Sequence, residues 1–150
     1  MMNLNKIQDK IIHEFESIAN GLKNKFGYLR HIAKLGDFLP SSTSATNGAY
    51  ERTISLSGTT RLWMGAEYKE GKIYYYGSSD NKIIRGILLL YLRVFSGRTP
   101  QEIIDTDVYF INEIQLHDYL SPRRRNDLSS ILQHIRSLAA TLKSKEFEVS

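Results

Sequence analysis

The spacing of apolar residues changes period along the chain, and each change marks a new element. Ile7, Ile11, Phe15 and Ile18 stand three or four residues apart with polar residues between them, which predicts a first helix, and Gly21 suits its left-handed end. Phe26, Leu29, Ile32, Ala33 and Leu35 make a second helical stripe that stops at Gly36. Beyond Pro40 the periodicity disappears; Ser41 to Gly48 is small and polar, and residues from about 40 to 52 are expected to form a loop. From Thr53 the alternation becomes twofold. Ile54 and Leu56 alternate with polar neighbours, Leu62 to Tyr68 is β-prone, and Ile73 to Tyr76 is extended and aromatic, which predicts three strands. Glu70-Gly71 supplies the positive φ of a tight hairpin, so the second and third strands should be antiparallel.

Helical spacing returns after Tyr76. Ser79 or Asp80 is placed to cap a helix running through Val94, whose Ile83, Ile84, Ile87, Leu88, Leu90 and Tyr91 cover most of its circumference, as expected of a central core helix. Thr99-Pro100-Gln101-Glu102 has the form of a capping box with Pro at the first helical position. A short helix around Val108 to Ile114 should follow. The last helix carries Leu128, Ile131, Leu132, Ile135, Leu138 and Leu142 on one stripe, with a frayed tail expected over about 143 to 150. The order implies an α+β chain of two layers, a small three-stranded antiparallel sheet packed against five or six helices. At 150 residues and without an internal repeat, one domain over 1 to 150 is expected.

Composition narrows the function classes. The net charge of +4, from 20 basic against 16 acidic residues, is too mild to demand nucleic acid. Tyr74, Tyr75 and Tyr76 lack the interleaved Arg and Lys of a base-stacking surface, so a packed aromatic face of the sheet is the plainer reading. Met1 to Lys10 lacks the apolar core of a signal peptide, and Ile83 to Phe95, broken by Arg85 and Arg93, falls well short of the roughly 20 residues that span a bilayer. No membrane association and a cytoplasmic location are expected. The sequence contains no cysteine, which excludes disulfides and thiolate metal sites. His13, His31, His117 and His134 are scattered without ligand spacing, so neither a metal nor another cofactor is expected. Trp63 is expected in the core.

Four motifs, in order, carry a likeness to a known family. They are Leu62-Trp63, then Ser79-Asp80 through Ile83, Ile84, Arg85 and Gly86, then Ser96-Gly97-Arg98-Thr99-Pro100 with Glu102-Ile103, and then Leu120-Ser121-Pro122 with Arg124 and Asn126. Each is weak alone. The ordered set resembles the SufE-type proteins, which accept sulfur from a cysteine desulfurase during iron–sulfur cluster assembly. The resemblance implies a SufE/IscU-like two-layer sandwich, in agreement with the periodicity. It also implies that the family's acceptor cysteine would lie just before the Trp-bearing strand. Counting back from Trp63 puts it at Gly58, or at Thr59 if the loop is one residue shorter.

Neither residue can hold sulfur, because attack on the enzyme-bound sulfur and its storage both require a thiolate. Nothing adjacent in sequence suggests an activated Thr59 or Thr60 hydroxyl. A second departure, Ser121-Pro122-Arg123-Arg124-Arg125-Asn126-Asp127 where the family has Ser-Pro-Ser-Arg-Ser-Asn-Gly, points to natural divergence. The resemblance makes Arg124 an interface arginine. Its flanks Arg123 and Arg125 add two forks able to grip carboxylates or phosphates. Arg61, Asp80, Arg123, Arg124, Arg125 and Asn126 are therefore the candidate partner-binding residues, around a degenerate acceptor position at Gly58 and Thr59.

The resulting expectation is a non-catalytic accessory protein, monomeric or weakly dimeric. It would dock on a cysteine desulfurase of the SufS-like type, or on another iron–sulfur assembly protein, and modulate it. The alternative is a repurposed binding module whose arginine cluster holds an anionic ligand or nucleic acid. No paired carboxylates, phosphate loop or metal spacing support an independent enzyme.

Overall fold

The computed structural model describes residues 3–19, 25–40 and 50–149. In chain order they form α1 (Leu4–Ala19), α2 (Lys25–Leu35), a 3₁₀ turn (Gly36–Phe38), β1 (Tyr50–Ser55), β2 (Arg61–Lys69), β3 (Lys72–Ser79), α3 (Lys82–Phe95), α4 (Pro100–Asp105), α5 (Phe110–Glu113), a second 3₁₀ turn (Leu116–Tyr119) and α6 (Pro122–Val149). The sheet is an antiparallel meander in the order β1-β2-β3. Glu70 and Gly71, at φ 53° and 81°, close the β2–β3 hairpin, so the turn expected from the sequence is present.

Strand parity decides what faces the core. Leu62, Met64 and Ala66 are buried, and across the hairpin they meet Ser79, Gly77 and Tyr75. Alternation therefore sends Trp63 to the opposite face, where it is 44% exposed, and corrects its expected place in the core. The tyrosine run is split by the same rule: Tyr75 packs inward and donates its hydroxyl to the Ile135 carbonyl of α6 at 2.7 Å, whereas Tyr74 is exposed.

α3 is buried nearly all round and is the helix about which the others pack. Where α2 crosses it, a Cβ on Gly86 would lie 1.8 Å from the Ile32 carbonyl oxygen, so only glycine permits this approach. The bidentate pair from Arg93 to Glu14, at 2.9 and 3.0 Å, ties α3 to α1. Gln8, fully buried, accepts from the Tyr109 and Phe110 N–H groups at 2.9 and 3.2 Å and donates to the Asp107 carbonyl at 3.0 Å. It fastens α1 to the start of α5.

Several boundaries differ from expectation. The cap of α3 is Asn81, which accepts from the Ile83 and Ile84 N–H groups at 2.9 and 3.0 Å; Ser79 and Asp80 are drawn to the backbone of Arg61. Tyr50 already pairs with Ala66, so the strand begins inside the stretch expected to be loop. Gly21 and the Ser41 to Gly48 stretch lie outside the described residues. α6 starts at Pro122 and continues to Val149 through the segment expected to fray, in keeping with the helix-favouring Lys and Glu residues there. The Thr99 capping box has both of its reciprocal bonds.

Candidate functional site

The loop between β1 and β2 lies against the first two turns of α6. The Leu56 N–H donates to the Thr60 carbonyl at 2.9 Å, continuing the ladder, and the chain reverses through Gly58 at φ 66°. That conformation strains any residue with a Cβ. Both ends of the reversal are pinned. At the β2 end, the Asp80 carboxylate accepts the Arg61 N–H at 2.9 Å and the Ser79 hydroxyl donates to the Arg61 carbonyl at 2.7 Å.

At the β1 end, Asp127 takes two bonds from one residue, the Ser57 N–H at 3.0 Å and the Ser57 hydroxyl at 2.6 Å. Its second oxygen also receives Arg124 Nη1 at 3.1 Å, while Arg124 Nη2 donates to the Thr60 hydroxyl at 2.9 Å. Ser57, Asp127, Arg124 and Thr60 thus close a circuit of charge-assisted bonds across the mouth of the loop. Asp127 is almost fully buried, so its carboxylate depends on these donors for the solvation it has lost. The pair also eases a local conflict, because Arg124 stands at a helix N-terminus where positive charge is disfavoured.

The structure divides the arginine cluster. Arg123 is exposed, with Nη2 3.9 Å from where a Cβ on Gly58 would stand. Arg124 is occupied by the circuit, and Arg125 donates from Nε to the His117 carbonyl at 2.9 Å. Asn126, Thr59 and Arg61 are exposed. Gly58, Thr59 and Arg123 therefore share one surface, while Arg125 turns towards the second 3₁₀ turn. Sequence reasoning missed Asp127 and Ser57. The i,i+3 spacing of Arg124 and Asp127 hinted at a pair, but nothing local pointed to Ser57.

The chemistry open to the loop is limited. The Ser57 hydroxyl donates to a carboxylate that is also paired with Arg124, and the Thr60 hydroxyl accepts from a guanidinium; among the described residues neither hydroxyl is bonded to a histidine. Among the described residues, no three His, Asp or Glu side chains converge as metal ligands. His31 and His134 have pKa values lowered first by burial; Lys34 lowers that of His31 further, against an upward pull from Glu14, and Arg52 lowers that of His134.

A family profile described as SufE, Fe-S metabolism associated domain, matches residues 9–139. The chain belongs to the SufE family. It is similar to an uncharacterized SufE-like protein of Synechocystis sp., with 29% identity over 131 residues, 87% of this chain and 78% of that protein. The fold is also that of a hypothetical protein from Thermus thermophilus known by its solution structure, with a TM-score of 0.71 at 12% identity over 92% of this chain and 96% of the other. The α+β architecture expected from the SufE likeness is the one observed, with six helices and a three-stranded antiparallel sheet among the described residues. Within that SufE frame, the loop before the tryptophan strand contains no thiol. Among the described residues, no helix is long and apolar enough to cross a membrane.

Proposed function

We propose that this SufE-family chain is a non-catalytic partner of a cysteine desulfurase, docking on it in the cytoplasm and modulating it without accepting sulfur. The observation that carries this reading is the latched, thiol-free loop. A sulfur acceptor must bring a thiolate to the enzyme's persulfide and then carry the sulfur away. On the motif spacing Gly58 and Thr59 would stand where the family has its acceptor, and Asp127 and Arg124 fasten this loop to α6. Such a loop suits a fixed docking element.

On this reading Thr59, Arg61, Arg123 and Asn126 meet the partner directly, while Arg124 and Asp80 act by holding the backbone behind them. Modulation requires that the chain bind two states of the enzyme with different affinity, or that it exclude a competent acceptor from the same surface. The anion-binding alternative is not favoured, because Arg124 and Arg125 are committed to separate intramolecular partners and the three guanidinium groups do not converge.

The test is a titration into the cysteine desulfurase of the same organism with cysteine present, following heat of binding and sulfide release together. Saturable binding with changed turnover is the expected result. Absence of binding at micromolar concentration would overturn the proposal.

A further inference from the structure

The outer face of the sheet has a second feature, separate from the loop. Two adjacent rungs build it. On the first, Thr53, Trp63 and Ser78 lie side by side across the three strands, a large indole between two small hydroxyl residues. On the second, Glu51, Gly65 and Tyr76 are neighbours, and the absence of a side chain on Gly65 lets the Tyr76 ring fold flat over it: a Cβ there would come within 2.3 Å of the ring. The Tyr76 hydroxyl donates to Glu51 at 2.8 Å, which fixes the ring against the sheet. Beside the edge of β3, Leu39 and the first turn of α3 form a wall. The result is an open cavity of about 640 Å³ lined by Trp63, Tyr76, Thr53, Ser78, Leu39 and Arg85. That size lies within the range of small-molecule sites, and the mixture of aromatic walls with a few polar groups is their usual make-up.

Arg85 gives the cavity its sign. Its Nη2 donates to the Gly36 carbonyl at 3.3 Å, which holds the side chain in place. Its Nε–H is buried without an acceptor, and among the described residues it is the one buried side-chain donor or acceptor left so. That Nε is sealed off from the cavity, so an anionic ligand would meet the guanidinium at its terminal Nη groups, which can pair with a carboxylate oxygen. The one carboxylate lining the cavity, Glu51, stands on the opposite strand and is engaged by Tyr76. The half-exposed Trp63 offers a π face with no described aromatic ring stacked on it.

We propose that this corner binds a small planar organic carboxylate, its flat body against Trp63 and Tyr76 and its anionic group on Arg85. The flat body follows from the two aromatic side chains that line the cavity. The anion follows from the guanidinium at the cavity wall. The site is independent of the desulfurase reading, since it lies on the sheet face and shares none of the latch residues.

Trp63 is the only tryptophan, so its indole N–H gives one assignable signal in a proton–nitrogen correlation spectrum. Sodium benzoate is the probe, at constant ionic strength, with benzyl alcohol (ring without charge) and cyclohexanecarboxylate (charge without a flat ring) as comparisons on the same wild-type protein. Benzoate is expected to shift the Trp63 signal saturably with a Kd at or below about 5 mM, a reasonable affinity for so small a ligand. Each comparison compound should bind at least about tenfold more weakly, and Arg85→Met should weaken benzoate by a similar factor. No saturable shift with benzoate would overturn the proposal. So would either comparison compound binding within about threefold of it. The wild-type comparisons decide the matter even if Arg85→Met fails to fold.

Discussion

Asp127 holds Ser57 by two bonds at once, accepting its N–H at 3.0 Å and its hydroxyl at 2.6 Å across a separation of 70 residues. Since Arg124 depends on the same carboxylate, removing that charge leaves a half-buried guanidinium short of its partner. Asp127→Asn is expected to lower stability by about 2–4 kcal/mol in urea unfolding. Asp127→Gly should also raise amide exchange across Ser57 to Thr60 well above exchange in β2.

The two candidate positions for a restored thiol are not equivalent. Gly58 sits at φ 66°, so Gly58→Cys should cost about 1–2 kcal/mol from backbone strain alone. Thr59→Cys, at an exposed position with negative φ, should fold as the parent does. Incubated with desulfurase and cysteine, Thr59→Cys is expected to gain one sulfur atom by mass spectrometry. A variant that docks but stays unmodified would show that the latched loop does not reach the enzyme's persulfide.

The crossing of α2 and α3 allows no side chain at Gly86. Gly86→Ala must push the Ile32 backbone away from α3, and a loss of at least about 3 kcal/mol in thermal or urea unfolding is expected. A loss below about 1 kcal/mol would mean that the two helices are not held this closely.

Acid should destabilise the fold through His31 and His134. Burial, the largest cause for both, lowers their pKa in the folded state, so the unfolded chain binds protons more readily as pH falls below the ordinary histidine value of 6.5. Their contribution is complete above that value and is lost as pH drops towards the folded pKa. The melting temperature should therefore fall between about pH 6.5 and 5, and His134→Gln should flatten that fall. An unchanged slope in the variant would assign the acid sensitivity elsewhere.

Much of the architecture could be read from short-range pattern. The β-prone run Leu62 to Tyr68 marked β2, Glu70-Gly71 marked the hairpin, and Thr99 with Glu102 marked a helix start, because each is settled within a few residues. Errors arose where a longer-range partner overrode a local preference. Ser79 and Asp80 are good caps by composition, yet Arg61 claims them and the task passes to Asn81. Trp63 is expected in the core, yet the strand alternation that buries Leu62 and Met64 turns it outward. The candidate site was legible in place but not in wiring. The loop and the arginines were named from the sequence, whereas the bonds from Asp127 to Ser57 join two distant segments and leave no periodic trace.

The fastening of α1 by Gln8 has a consequence for synthesis. α1 leaves the ribosome well before its anchors, since Tyr109 lies 101 residues further along. At about 5–20 residues per second, the amphipathic helix must wait several seconds with its apolar stripe uncovered. Closure of the N-terminal helix is thus a late, long-range event, and the early part of this chain is the part most in need of chaperone cover while it is made.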